Sequence, residues 1–387
     1  MKERIIFKRV LPSAAILLAV IAIFVGLFFY ARDDTQILIP DDYSQYDTAT
    51  VLQILTDNCE QDENAENAYR GEQKLLVEVT SGQYKGQTLM ADNSVGIHSD
   101  YAPAAVGQSV VLHISTYSDG SHIATVYTND REPMIYVIIG LFILVTILVG
   151  GKTGAKSIAG LILTVLVLLC VFLPLLAKGW SPIPTSFMLC SLVAIACFVI
   201  LGGFSKKVLC AGIGTIAGML FAMLFGMLAQ VLLKIDGYQA EYAEALYNER
   251  LTGTPFEIRG LLVAGVIISA LGAVMDVAMS ISSALSELKS VDPELTTNKL
   301  WKSGMNIGRD MVGTMTNTLI LAILGSSLIL ILYIFSMNLS WHQFMSSSFL
   351  GIEIISSVAS AIGVILAVPL TTLTCAVIYG RKKEAAK

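Results

Sequence analysis

The chain has 387 residues, of which 55% are hydrophobic and only 14% are charged, and its mean hydropathy is +0.70. Soluble domains carry about 25% charged residues, so this composition indicates an integral membrane protein and excludes a soluble enzyme with a single anchor. The net charge of −5 excludes a basic surface for nucleic acid.

Eight apolar runs approach or exceed the roughly 20 residues that a helix needs to cross a bilayer. The first run is too long for a typical signal peptide, and Tyr30–Ala31–Arg32 is a poor cleavage site, which favours an uncleaved signal anchor. The sequence therefore predicts an all-α polytopic membrane protein of about eight transmembrane helices. In chain order the runs are Val10–Tyr30, Met134–Gly150, Ser157–Ala177, Ile183–Gly203, Val208–Leu233, Gly260–Leu285, Met311–Asn338 and Ile354–Tyr379.

Lysine and arginine predict the orientation. With a cytoplasmic N-terminus, every segment on the inner side is basic, as the positive-inside rule requires. We expect a multi-pass plasma-membrane protein with both termini cytoplasmic. Its expected parts are residues 1–31 (N-terminus and first helix), 32–133 (extracytoplasmic), 134–380 (seven helices) and 381–387 (basic cytoplasmic tail).

Residues 32–133 begin with an acidic linker and continue as short runs with strand character, which start at Thr48, Gln73, Gly86, Gln108 and His122. Turn-like stretches such as "SGQYKG" and "ADNSVG" separate some of them. Five short strands predict a small β-barrel-like, OB-like domain. No metal-ligand spacing and no intact nucleotide-binding motif is present in the sequence, so neither a metal nor a cofactor is expected.

One predicted span carries an acid in its middle. Asp276, Ser280, Ser283 and Glu287 are spaced by helical turns and share one face. A charge at the centre of a membrane helix costs about 2.5 kcal/mol or more, so this stripe must face other helices or a water-filled cavity.

The next span offers partners for that acid. Asn317 and Thr314 lie on its polar side, and Asp276 and Asn317 are expected at comparable depths on antiparallel neighbours. We expect Asn317 or the neighbouring threonines to hydrogen-bond Asp276. Arg309 and Asp310 are expected at the cytoplasmic boundary, where they are candidates for anchoring or gating. Glu353, near the outer end of the last span, is a further gating candidate and shares a face with Ser357 and Ser360.

Two motifs, "GAVMDVAMSISSAL" from Gly272 and "GRDMVGTMTNTLILA" from Gly308, together with the external β-rich domain, resemble the YibE/F-like family of bacterial membrane proteins. The resemblance covers nearly the whole chain. It implies a multi-spanning plasma-membrane protein and marks Asp276, Arg309, Asp310 and Asn317 as motif positions. It implies no substrate.

The leading hypothesis is an ion-coupled secondary transporter without enzymatic activity. Asp276 would bind a proton or monovalent cation, with Asn317, Thr314, Ser280 and Ser283 supplying neutral oxygens or hydrogen bonds. The alternative is a non-transporting envelope scaffold or sensor that acts through the external domain. An intramembrane enzyme is disfavoured because the candidate for a second acid, Asp310, is expected too close to the surface to pair with Asp276. The expected partners are the lipid bilayer and the ion, and the sequence leaves open a second membrane subunit or a homo-oligomer.

Overall fold

The computed structural model describes residues 17–30, 44–63, 68–96, 103–116, 122–240, 243–251 and 255–380. Contacts divide the chain into two compact units. Gln36–Leu148 contains the β domain, and the other unit contains Met1–Thr35 and Val149–Lys387.

The β domain is a closed five-stranded barrel. Its sheet order is β1-β5-β6-β4-β3, and β1 closes the barrel by pairing with β3. Only β4 and β6 pair in parallel, which follows from a crossover connection and gives the Greek-key order of an OB-like barrel. The strands are β1 Ser44–Asp57, a two-residue β2 at Glu60–Gln61, β3 Tyr69–Val79, β4 Thr88–Val95, β5 Ser109–Thr116 and β6 His122–Asn129.

All five predicted strands are confirmed, but "ADNSVG" was wrongly read as a turn. These residues continue β4, and Asn93 points into the barrel, fully buried. Its side chain donates to Gln73 Oε1 at 3.0 Å, and the Ala104 backbone N–H donates to the same oxygen at 2.8 Å. Polar side chains can occupy a strand interior when they satisfy one another in this way.

The remaining described residues are almost entirely helical. The helices are α1 Leu17–Tyr30, α2 Glu132–Val167, α3 Leu173–Ala177, α4 Pro182–Gly202, α5 Lys206–Leu233, α6 Ala243–Leu251, α7 Leu261–Val291, α8 Thr297–Ser326, α9 Leu328–Ser336, α10 Trp341–Met345 and α11 Ser348–Gly380. A π-helical turn, Leu168–Phe172, joins α2 to α3.

Among the described residues, five helices are long and apolar enough to cross a membrane, or six if the bent pair α8 and α9 forms one span. One of the five, Glu132–Ala177, unites two predicted spans in 46 residues. Its helical geometry is interrupted at Gly151, where φ is 55° and ψ is −134°. Part of the predicted first span lies outside the described residues, and Leu17–Tyr30 is the helical part that is described.

The predicted span Met311–Asn338 differs from the structure at both ends. α8 begins earlier, at Thr297, because the Thr296 side chain caps the helix by accepting from the Lys299 N–H. It ends at Ser326, and α9 leaves at an angle of 59°. Gly325, Ser326 and Ser327 occupy the bend, and Gly–Ser sequences are common sites of helix kinks.

α11 packs against α5, α7 and α8 and forms the centre of the helical unit. The approach of α5 to α11 depends on two glycines. A Cβ atom on Gly218 would lie 3.0 Å from the Gly363 carbonyl oxygen, and one on Gly363 would lie 2.8 Å from the Ala222 Cβ. Close backbone approach through small residues is typical of membrane helix pairs. α11 continues through Pro369.

Three hydrogen bonds group the helix ends into two sets. At one end, the Lys178 ammonium donates to the Tyr30 carbonyl, and Ser181 Oγ donates to Glu257 at 2.6 Å. At the other end, the Lys156 ammonium donates to the Leu201 carbonyl at 3.4 Å. We call the first the Trp180 end, after the residue that lies between Lys178 and Ser181 in the chain, and the second the Lys156 end.

Candidate functional site

The polar stripe of α7 lies on the surface of the chain. The opposite face of the helix is packed in the bundle, where residues such as Ile267, Val274 and Ile281 are fully buried. The stripe comprises the exposed residues Gly265, Ser269, Gly272, Asp276, Ser280 and Glu287 and the half-buried Ser283. The helical spacing of the sequence therefore places these residues together, on a face of α7 that the described residues leave largely exposed.

The hydrogen bonds expected for Asp276 are not formed. Within the described residues, its carboxylate has no hydrogen-bond or ion-pair partner. Two α8 threonines bond to their own helix instead: Thr314 Oγ1 donates to the Met311 carbonyl at 3.2 Å, and Thr318 Oγ1 donates to the Thr314 carbonyl at 2.9 Å. Such bonds to the preceding turn are the usual alternative for a threonine in a membrane helix.

Two contacts fix the depth of Asp276 relative to α8. Leu285 of α7 packs on Gly304 of α8. Asp276 lies about 14 Å beyond this contact, and on antiparallel α8 the same distance reaches Gly313.

A second route from Asp276 to its level on α8 uses contacts through α11. Ser282 Oγ accepts from the Cys375 thiol at 3.5 Å, and α11 runs parallel to α7. About 10 Å nearer the N-termini of these two parallel helices, Asp276 reaches the level of Val368, which packs on Gly308 of α8. The two routes therefore place Asp276 level with the Gly308–Gly313 segment.

The level of Asp276 relative to α8 corrects two expectations from the sequence. Asn317 lies about 6–14 Å further along α8 than Asp276, too far along for the expected hydrogen bond. Arg309 and Asp310 lie within the matching turn, level with the middle of α7 and not at its end. Both are exposed, and neither has an ion-pair partner within the described part of the chain. The early start of α8 explains the difference, because a full three turns precede Arg309.

Glu353 lies apart from the α7 stripe. It is half-buried in an apolar groove that α8, α9, α10 and α11 line together, with Ile320, Leu324 and Phe349 among the lining residues. Ser357, one turn along, lines the same groove. The groove gives Glu353 apolar neighbours and no counter-charge.

Sequence reasoning missed a hydrogen bond that joins the stripe to α11. The hydroxyls of Ser269 and Ser360 lie 2.8 Å apart, and Ser360 Oγ also approaches the Val266 carbonyl at 3.4 Å. The available signal was a serine on a predicted packing face of each helix. The Ser269 end of the stripe is thus fixed to the central helix, whereas Asp276 is not.

The barrel carries an exposed aromatic cluster that sequence reasoning also missed. The Tyr46 ring stacks on His113 with centroids 4.9 Å apart and meets the Tyr127 ring edge-on at 5.0 Å. Tyr46 is 53% exposed and Tyr127 49%. Strand pairing brings the three residues together, since Tyr46 lies opposite His113 in the β1–β5 register.

No three His, Cys, Asp or Glu side chains within the described ranges are grouped so that they could hold a metal ion. The α7 stripe offers one carboxylate with hydroxyls one and two turns away. This donor set suits a proton or a monovalent cation, because a single carboxylate can alternate between the protonated and the ion-bound form.

A family model described as YibE/F-like protein matches residues 138–381, a range that contains α7, α8 and α11. No curated protein and no solved structure matches the chain significantly. The matched range is more than half of the 387 residues and includes both quoted motifs. The chain therefore belongs to the YibE/F-like protein family.

Proposed function

We propose that the protein is an ion-coupled secondary transporter in which Asp276 binds the coupling proton or cation. The observation that carries this proposal is the exposed Asp276 carboxylate in the middle of α7, without a partner within the described residues. An intramembrane acid is costly and marks an ion pathway more often than a packing contact. Ser280 and Ser283 supply neutral oxygens on the same face.

The proposal includes the topology. We infer eight spans, with Glu132–Ala177 crossing twice around Gly151, both termini cytoplasmic and the barrel extracytoplasmic. The grouping of helix ends supports this arrangement, because the Trp180 end contains Tyr30, Lys178 and Glu257, all assigned to the outer side. The Lys156 end contains Lys156, which is assigned to the inner side.

The aromatic cluster of the barrel favours a second candidate function. Exposed aromatic side chains are enriched at protein interfaces, and Tyr46, His113 and Tyr127 form one surface. In this alternative the protein is a non-transporting scaffold or sensor, and the cluster binds an envelope component.

One experiment separates the two candidates. Transient currents are recorded on a supported membrane with proteoliposomes during jumps of pH, sodium or potassium. We expect a wild-type current to one ion that Asp276→Asn abolishes and Asp276→Glu partly retains. Glu287→Gln is the matched control, since it removes an acid from the end of the same stripe. A Tyr46→Ala/Tyr127→Ala variant should keep the current.

Failure of the transporter proposal would be clear. Correctly folded and inserted wild-type protein that gives no current to any of the three ions would contradict it. So would an Asp276→Asn current equal to that of the wild type. The scaffold candidate would then be tested by the loss of cellular function in the tyrosine variant.

A further inference from the structure

The α7 stripe is open, and so is a charged stripe on α8. The α8 residues that contact the bundle are small or apolar, and Gly304 and Gly308 are buried against α11. The opposite side is exposed from one end of the helix to the other. It comprises Lys299, Lys302, Asn306, Arg309, Gly313 and Asn317 and, at its edge, Asp310.

The two stripes carry opposite charges at matching depths. Asp276 is level with the Gly308–Gly313 segment, which contains Arg309. From the same two contacts and from the packing of Gly380 on Thr297, Glu287 is level with the segment 297–302, which contains Lys299 and Lys302. Each acid on α7 thus has a base at its own level on α8. No such pair is formed among the described residues.

Leaving these charges in lipid is unfavourable. Asp276 and Arg309 both lie near the middle depth of α7, and charged groups there cost about 2.5–3.5 kcal/mol each on insertion scales. Gly272 and Gly313, beside the charged positions, have open space where a Cβ would be. Small residues beside polar ones are typical of helix faces that pack against another helix.

We propose that a second copy of this chain covers both stripes, with α7 of each copy packed against α8 of the other. When two copies associate side by side with the same orientation in one bilayer, each residue lies at the same depth in both copies. The level matching within one chain is therefore reproduced between two copies: Asp276 meets Arg309 of the second copy, and Glu287 meets its Lys299 and Lys302. A two-fold axis along the membrane normal makes both contacts at once, as an isologous interface requires.

The alternative contact, α7 against α7, is excluded by charge, since it would place Asp276 against its own copy. Asp310 lies at the other edge of the α8 stripe, about 100° around the helix from Arg309, so the Arg309 edge is the one that meets Asp276 in the proposed contact. The inference goes beyond the proposed function and rests on that proposal for the membrane topology only. In the dimer, a proton or cation that binds Asp276 displaces Arg309 of the second copy.

Charge reversal provides the test. Full-length protein is reconstituted at low protein-to-lipid ratio, and dimers are counted by single-molecule photobleaching. We expect wild-type dimers, and a fall of roughly tenfold or more in the association constant for Asp276→Lys and for Arg309→Glu, since each creates like-charge contacts. Lys206→Asp, an exposed charge on α5, is the control and should not change the association constant.

The decisive arm mixes the two variants, each with its own dye. An Asp276→Lys copy and an Arg309→Glu copy restore opposite charges at both contacts, so two-colour dimers should recover toward the wild-type association constant. This recovery also shows that both variants fold. Monomeric wild-type protein, unchanged dimerisation of the single variants, or no recovery on mixing would overturn the proposal. This experiment counts dimers and does not record ion current, so its outcomes are distinct from failure of the transporter proposal.

Discussion

At the scale of single residues, the exposed Asp276 and the buried Gln73 differ in how far their polar atoms are satisfied. In the membrane unit, Asp276 has no hydrogen-bond or ion-pair partner within the described residues. In the barrel, Gln73 has three: it accepts from Asn93 and from the Ala104 N–H and donates to Asp57 Oδ2 at 2.9 Å. Sequence patterns predicted the helix face of Asp276 and the strand that begins at Gln73, but they could not tell which side chain is satisfied, because the partners come from other elements.

The Gln73 contact gives a prediction for Asp57. Hydrogen bonds from the Cys59 backbone N–H and then from Gln73 hold the pKa of the Asp57 carboxyl below its usual value. A depressed pKa means that this contribution to folding is present above the unfolded pKa of about 3.9 and is lost as the pH falls through the folded pKa. We expect Gln73→Leu to raise the folded-state pKa of Asp57 toward its unfolded value. The contribution of Asp57 to folding stability above that pKa should then be smaller.

Carbon-13 NMR titration of full-length protein with labelled aspartate measures this shift. Gln108→Leu serves as the control, because Gln108 bonds to Asn129 and Ala105 and not to Asp57. An Asp57 pKa that is equal in the Gln73→Leu variant and the wild type would contradict the prediction.

At the scale of elements, hydrophobic runs located the helices, but their ends and breaks depended on local chemistry. Capping by Thr296 moved the start of α8 and thereby changed the depth of Arg309. Gly325 and the following serines ended it where a single span was expected. Composition windows average over such signals, whereas one cap or one glycine decides the boundary.

Two glycines of α5 give a matched pair at this scale. A Cβ on Gly218 would lie 2.8 Å from Val274 and 2.9 Å from Ala367, whereas one on Gly212 would meet nothing within 4 Å. We expect Gly218→Ala to destabilise the bundle by about 1–3 kcal/mol through overpacking. Gly212→Ala should be neutral or stabilising by up to about 1 kcal/mol, because alanine favours helix. Thermal unfolding in lipid nanodiscs compares them, and equal melting temperatures for the two variants would refute the packing argument.

At the scale of the whole molecule, the topology makes a separate prediction. Met90 on the barrel is 68% exposed, and Lys299 is exposed at the start of α8. A membrane-impermeant maleimide added to intact cells should label Met90→Cys and leave Lys299→Cys unlabelled until the membrane is permeabilised. The wild type, with its native cysteines, sets the background. Labelling in the reverse order would invert the proposed orientation.

The sequence by itself determined the membrane class, the five barrel strands, most of the long helices and the shared face of Asp276, Ser280 and Ser283. These features depend on composition and on the periods of helix and strand, which a linear chain carries in full. Only the tertiary structure decided that this face is open, that Arg309 and not Asn317 is level with Asp276, and that Ser269 is tied to Ser360. Those are distances between elements far apart in the chain, and they are set by where glycines allow α5, α8 and α11 to approach one another.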